Sequence, residues 1–323
     1  MRLPKFEYRR PKSIQEASAI LLEQPSAKVL AGGTDLLVNM KYKVETPATI
    51  VSLQGVPNLD HVKANGSVKI GALTTLKRVY NDPFVAEKLP ALAMAASSVG
   101  SYHHQTMGTI GGNLCQQTRC KYFNQSKWWR SSREICFKAG GELCHVAKKQ
   151  LVCYSTYCGD VAPALLVLNA EVVLSGKNGS RQVPLEDIYS GRGKTPLKLE
   201  PGEILTEIVI PLQATDGFST YKKFANRASI DFPIVGAAFW TSSKSRESRV
   251  ALTAVDRKPL RARQLEDYMK DKQLGDDVVN AVDGLIAKET RLMASSIDSL
   301  SLKRKLMGQL VKSAITEAMG GLK

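Results

Sequence analysis

All six cysteines of this 323-residue chain fall between Cys115 and Cys158, with none in the first third or the last half. A stretch with its own chemistry is therefore set into an otherwise cysteine-free fold. The opening Met1-Arg-Leu-Pro-Lys-Phe-Glu-Tyr-Arg-Arg has no apolar core of the kind a secretory signal needs. The longest apolar run, Ala162 to Ala170, is too short for a membrane span and is interrupted by Pro163 and Asn169. A cytoplasmic address without membrane attachment is expected. There thiols stay reduced, so clustered cysteines point to a metal or redox site rather than to disulfides.

The spacing narrows the metal. Cys120, Cys136, Cys144 and Cys153 are far apart, and no C-x-x-C pair occurs. Structural zinc sites favour cysteines two to four apart, so zinc is disfavoured, although His145 adds a nitrogen donor. Four thiolates from one loop suit a [4Fe–4S] cluster, whose irons prefer sulfur. Cys115 continues the run Gly111-Gly-Asn-Leu114, and Cys158 adjoins Gly159-Asp160 where ordinary sequence resumes. Both read as scaffold, which leaves Cys120, Cys136, Cys144 and Cys153 as the expected ligands. Buried, unligated thiols are the plainer alternative, but they explain the clustering poorly. Trp128, Trp129, Tyr122, Phe123 and Phe137 either shield such a cluster or form the small core an insertion needs.

Around this segment the chain reads as an α+β protein of about two domains. Ser13 and Glu16 make a capping box ahead of an amphipathic helix from Ala17 to Glu23. Lys28–Ala31 suits a strand, Leu36–Met40 a helix and Ala48–Ser52 a second strand, a βαβ-like unit. Val68–Gly71 suits a strand; Thr75–Tyr80 and Ala91–Ser98 suit helices, the latter with Pro90 at its start. Ser175-Gly-Lys-Asn-Gly-Ser180 is a hairpin signal. Beyond it come strands over Glu203–Ile210, Thr220–Phe224, Ile234–Trp240 and Arg249–Val255, then helices over Asp276–Ala287 and Leu302–Met319. The expected division is 1–175, with the cysteine insertion at about 116–157, followed by 176–323 as an antiparallel sheet with helices.

Two glycine turns carry the binding chemistry. Ala31-Gly-Gly-Thr-Asp35 lies between a strand and a helix; its backbone N–H groups and the Thr34 hydroxyl can crowd a pyrophosphate. The spacing is not G-x-G-x-x-G, so a Rossmann site is not supported. A plain turn capped by Thr34 or Asp35 is the alternative. Gly108-Thr-Ile-Gly-Gly-Asn113 repeats the chemistry, and two such turns suit an extended dinucleotide. The formal net charge of +15 includes no Lys/Arg run of five and no nucleic-acid-binding motif. An acidic partner is expected, not nucleic acid.

The pair A-G-G-T-D-L-L and G-T-I-G-G-N, with the rejoining Cys158-Gly-Asp-Val-Ala-Pro-Ala-Leu165, resembles the flavin-binding medium subunits of the xanthine dehydrogenase family of molybdenum enzymes. The resemblance covers nearly the whole chain. It implies a two-part, PCMH-like FAD-binding domain followed by an α+β domain. The insertion, with Cys115-Gln-Gln-Thr-Arg-Cys120 and Tyr122-Phe-Asn-Gln-Ser-Lys-Trp-Trp-Arg130, resembles the 4-hydroxybenzoyl-CoA reductase branch, where it holds a [4Fe–4S] cluster. Carried over by residue, Ala31, Gly32, Gly33, Thr34 and Asp35 form the FAD pyrophosphate loop. Thr109, Gly111, Gly112 and Asn113 line the same cofactor, Asp160 reaches its ribityl or phosphate side, and Lys223 and Asp231 approach the flavin. Asp231 is followed by Phe-Pro where the family commonly has small residues. His103 and His104 precede the second loop and have either a structural or a flavin-facing role. The same resemblance implies a molybdopterin-bearing large subunit, a small subunit with [2Fe–2S] clusters, ferredoxin as donor and a dimer of heterotrimers. It places no substrate bond-breaking on this chain. Rival readings are a flavin subunit serving another aromatic substrate, and a basic, zinc-stabilised binding protein.

Overall fold

A computed structural model describes residues 2–147, 152–296 and 298–321. The N-terminal lobe begins with a small parallel sheet of β1 (Glu7–Arg9), β2 (Lys28–Leu30) and β3 (Thr49–Ser52), ordered β1-β3-β2. β2, the helix Leu36–Lys41 and β3 form the expected βαβ unit, because the parallel pairing of Lys28 with Ile50 needs a crossover. Ser13 caps the helix Ile14–Glu23, accepting from Glu16 N at 3.1 Å, while Glu16 Oε2 accepts from Lys12 N at 2.7 Å. The capping box thus reaches one residue further back than its usual form.

A second sheet contains β4 (Val62–Asn65), β5 (Ser67–Gly71), β6 (Glu171–Gly176), β7 (Gly179–Pro184) and β8 (Ile204–Pro211), in the order β4-β5-β8-β6-β7. Its topology moves the domain division. β8 inserts between β5 and β6, so every residue through Pro211 belongs to the N-terminal lobe. The hairpin signal at 175–180 is an internal turn, and a boundary at 175/176 would cut β6 from its partners.

The C-terminal lobe is the expected antiparallel sheet with helices: β9 (Phe218–Phe224), β10 (Val235–Ser242), β11 (Glu247–Thr253) and β12 (Leu260–Arg261), ordered β12-β11-β10-β9. Every residue of β10 is buried. Its period of two explains why: Val235, Ala237 and Phe239 join a core with the helices Asp276–Glu289 and Leu300–Gly321. Ala238 and Trp240 face the other way, into the core of the N-terminal lobe. One strand therefore belongs to two cores. That shared face brings β9 residues, Tyr221 and Lys223 among them, against the first lobe.

The cysteine segment leaves after the helix Ile110–Leu114 and returns at Tyr157. Its stem is closed by reciprocal backbone bonds between Arg119 and Thr156, at 2.7 and 2.8 Å. Lys121 N donates to Ser295 O at 2.7 Å and Tyr157 N to Asp256 O at 3.0 Å, which ties the insertion to the C-terminal lobe. Its own regular structure is slight, chiefly the helix Lys127–Ser131. No helix among the described residues is long and apolar enough to cross a membrane.

Candidate functional site: a dinucleotide cleft beside a cysteine-lined cavity

The two glycine turns meet. A Cβ on Gly32 would stand 1.9 Å from Met107 O, so backbone packs on backbone where the turns cross. Gly33 has φ +75, a conformation that favours glycine, and its carbonyl accepts from Leu37 N to start the next helix. Among the described residues the N–H groups of Gly32, Gly33, Thr34 and Asp35 have no hydrogen-bond partner within the chain. Unpaired N–H groups grouped at a bend form an anion cradle. In the second turn Thr109 Oγ1 accepts from Gly112 N at 3.1 Å, while Ile110 N and Gly111 N are bound to Thr74 O and Ala72 O. This turn supplies shape rather than free donors.

Between the turns opens a cleft of about 440 Å³. Ala31, Gly32, Gly33, Thr34, Asp35, Thr109, Gly111, Gly112, Asn113, Asp160 and Asp231 all line it. Lys223 does not line it. Its ammonium lies one layer behind, 3.2 Å from Asp160 Oδ1, donating also to Ser98 O at 2.9 Å and to Asp231 O at 3.0 Å. The strand position is as expected, but the long side chain is used to hold Asp160. Tyr221 Oη donates to the same carboxylate at 2.8 Å. Burial pushes Asp160 up to about 6, with Lys223 and then Tyr221 pulling it down. The carboxylate of Asp231 accepts from Arg227 N at 3.2 Å.

His104 reaches the cleft, with Nδ1 2.8 Å from Ser101 Oγ; His103 lies outside it, exposed beside Tyr102. The scaffold cysteines, Cys115 and Cys158, also border the cleft. Burial pushes their thiols up to about 12 and about 11, which favours the protonated form.

A second, much smaller cavity is lined by Cys120, Cys136, Cys144 and Cys153 together. Tyr122, Phe123 and Phe137 complete much of its wall. Trp128, 83% exposed, shields nothing. Burial pushes the Cys120 thiol up to about 11, with the nearby backbone N–H groups of Tyr122 and Phe123 pulling it the other way. Among the described residues no group of three or more His, Cys, Asp or Glu side chains is placed to hold a single metal ion. A mononuclear zinc centre needs such convergence, whereas the thiols of a multi-iron cluster attach at separate corners.

The cavities adjoin. Arg119 borders the cleft and the next residue, Cys120, borders the cysteine cavity. Arg119 Nη1 pairs with Asp35 Oδ1 at 3.0 Å, and its guanidinium stacks on Phe232, 4.2 Å from the ring centroid. Sequence reasoning missed Phe232, Ser155 and Tyr221, and read Arg119 and Lys138 only as basic charge for an acidic partner, whereas Arg119 pairs with Asp35 and Lys138 bonds to Thr118. Only Tyr221 carried a usable signal, two positions before Lys223 on one strand and so on the same face.

A cleft lined by two glycine turns of the N-terminal lobe and closed by Ile230, Asp231 and Phe232 of the C-terminal lobe suits an extended dinucleotide. Residues 4–213 match the family model of the FAD binding domain in molybdopterin dehydrogenase, and residues 219–318 that of the CO dehydrogenase flavoprotein C-terminal domain. The chain belongs to the FAD-binding medium subunits of the molybdenum hydroxylase (xanthine and CO dehydrogenase) family. It is 30% identical to the aldehyde oxidoreductase FAD-binding subunit PaoB of Escherichia coli, over 95% of this chain and 98% of that one. To the nicotinate dehydrogenase FAD-subunit of Eubacterium barkeri it is 26% identical, over 98% and 97%. Among solved structures, a CO dehydrogenase from Hydrogenophaga pseudoflava superposes with TM-score 0.81 at 27% identity, over 99% of both chains. The division between the two family models, between residues 213 and 219, agrees with the sheet topology.

The cleft fits FAD on its own geometry. Free N–H groups at Gly32–Asp35 would hold the pyrophosphate, Gly112 leaves room for close approach, and Asp160 offers a carboxylate to hydroxyls. The second cavity has the donor chemistry that an iron–sulfur group takes: four thiols within an aromatic wall.

Proposed function

We propose that this chain is the FAD- and [4Fe–4S]-bearing electron-transfer subunit of a molybdenum-containing reductase of the 4-hydroxybenzoyl-CoA reductase type. The observation that carries the reading is the gathering of Cys120, Cys136, Cys144 and Cys153 around one cavity that adjoins the flavin cleft. Ala31, Gly32, Gly33, Thr34, Asp35, Thr109, Gly111, Gly112, Asn113, Asp160 and Asp231 bind FAD. Lys223 holds Asp160 from behind. When bound, the two groups supply electron exchange, singly at the cluster and singly or in pairs at the flavin. The chain's own task is positional. Gly32 and Gly33 bring backbone to the pyrophosphate, Arg119 ties the cysteine stem to the flavin loop, and Tyr122, Phe123 and Phe137 keep water from the thiols.

The substrate is held elsewhere, by a molybdopterin-bearing large subunit, with a small [2Fe–2S] subunit between it and this chain. A dimer of heterotrimers and a cytoplasmic site complete the assignment. An acidic ferredoxin supplies electrons singly; two of them, with two protons, replace a phenolic hydroxyl by hydrogen on the large subunit, and the oxygen leaves as water. Relatives whose names specify nicotinate and aldehyde support a second reading, the same subunit serving another substrate. Turnover of 4-hydroxybenzoyl-CoA against those alternatives by the purified complex separates the two.

The test of the cluster is chemical. The complex prepared without oxygen should be yellow-brown and contain four irons and four acid-labile sulfides beyond those of the small subunit. Cys136→Ser should lose those four irons and keep FAD. Retention of all four irons would mean the ligand set is wrong, and a colourless sample bearing zinc would overturn the assignment.

The entry face has its own prediction. Lys127 and Arg133 are exposed beside Trp128 and Ile135, the latter 64% exposed, with Glu134 and Glu142 the acidic residues in this stretch. Residues 116–157 carry more Lys and Arg than Asp and Glu, and two of those lysines, Lys148 and Lys149, lie outside the described residues. An acidic donor should be steered here, so its reduction rate of the complex should fall at least about tenfold as salt rises from 0.01 to 1 M. A rate independent of salt in stopped-flow measurements removes this face from the assignment.

A further inference from the structure

The cysteine cavity has a polar floor that ligation alone does not require. Lys138 Nζ donates to Thr118 O at 2.9 Å and to Thr118 Oγ1 at 2.6 Å, and lies 3.5 Å from Ser155 Oγ. Every one of these partners is neutral, so an inward-facing cation has no carboxylate bonded to it among the described residues. An inward-facing, part-buried cation needs compensating negative charge, and the groups that act on Lys138 are first Cys153 and Cys120 and then Glu45 and Asp35.

The hydroxyls complete the arrangement. Ser155 Oγ lies 3.1 Å from Cys153 Sγ, 2.6 Å from Thr118 Oγ1 and 3.0 Å from Gly193 O, which Thr118 Oγ1 also reaches at 2.7 Å. Each hydroxyl has one proton to give. With Lys138 donating to Thr118 Oγ1 and Thr118 donating to Gly193 O, the single Ser155 proton can go to Gly193 O or to Cys153, and a thiolate at Cys153, the charged acceptor, draws it to the sulfur. The floor is closely built: a Cβ on Gly193 would meet Ser155 Oγ at 2.6 Å and Cys153 Sγ at 2.9 Å.

We infer that Lys138 and Ser155 are positioning residues that set the reduction potential of the iron–sulfur group held by the four cysteines. This rests on the cluster reading above. Reduction adds one electron to the group; a fixed ammonium and an O–H aimed at a ligand sulfur stabilise the reduced form more than the oxidised form. Both therefore raise the potential, easing entry of electrons from the donor.

The experiment is a potentiometric titration of the intact complex, followed by electron paramagnetic resonance, after iron and sulfide have been counted. Lys138→Gln should shift the midpoint negative by at least about 59 mV, a tenfold change in the one-electron equilibrium. Lys138→Arg should restore it, and Ser155→Ala should shift it the same way by less. Absence of iron from the unmodified complex overturns the cluster reading. Iron present with midpoints unchanged in both Lys138→Gln and Ser155→Ala overturns this inference alone. If Lys138→Gln loses its iron, Ser155→Ala decides: an unchanged midpoint there is refutation.

Discussion

Gly32→Ala is expected to give a subunit that purifies without FAD. The added methyl would stand 1.9 Å from Met107 O, 2.8 Å from Met107 C and 2.9 Å from Gly108 Cα. These are main-chain atoms, so no side chain can rotate away, and the two glycine turns must separate. Overpacking of this kind costs about 3 kcal/mol at the upper end of its usual range. Because the turns together shape the cleft, that cost should appear mainly in the bound state, as roughly a hundredfold loss of FAD affinity. Gly112→Ala is the informative contrast. Its methyl would meet only Thr109 Oγ1 at 3.0 Å and Ala31 Cβ at 3.8 Å, so the apoprotein should keep its melting temperature. Flavin content after desalting and fluorescence titration with FAD measure both. Wild-type affinity in Gly32→Ala would show that the crossing of the turns does not shape the FAD site.

Much of this architecture is written in local pattern. The capping residues Ser13 and Thr75, the Gly-Gly bend and the alternating strands of the C-terminal lobe are each short-range signals, and each is realised. The position of β8 is not of that kind. Its alternation says strand, but only pairing with β5 and β6, more than a hundred residues before it in the case of β5, decides which lobe owns it. The site divides in the same way. Glycines and cysteines announce themselves because few other residues do what they do. Lys138, Ser155 and Arg119 have roles set by what faces them across the fold, and a single lysine in a basic chain carries no mark of burial. Lys223 shows the intermediate case. Its strand and face are legible, yet whether its ammonium reaches the cleft or stops at Asp160 depends on the depth of packing between lobes.

That depth leads to the second large effect. Lys223→Met should destabilise the protein by about 3–5 kcal/mol, the cost of leaving one member of a buried ion pair alone. Asp160 is 3% exposed, and without Lys223 its carboxylate would keep only neutral hydroxyl groups, Tyr221 first among them, and no cation. The pH dependence identifies the cause. Asp160 already has its pKa raised to about 6 by burial, against Lys223, which lowers it; removing the lysine must raise it further. A carboxyl whose folded pKa lies above its unfolded value binds more protons in the folded state. Its unfavourable contribution is therefore greatest above the folded pKa and fades as pH falls toward the unfolded value. The deficit of Lys223→Met, measured by denaturant unfolding, should be largest near pH 8 and should shrink on going to pH 5. Lys223→Met with Asp160→Asn should recover much of the loss at pH 8, since no buried charge remains, while still binding FAD more weakly than wild type. A deficit independent of pH would mean that Lys223 acts through packing between the lobes rather than through the charge of Asp160.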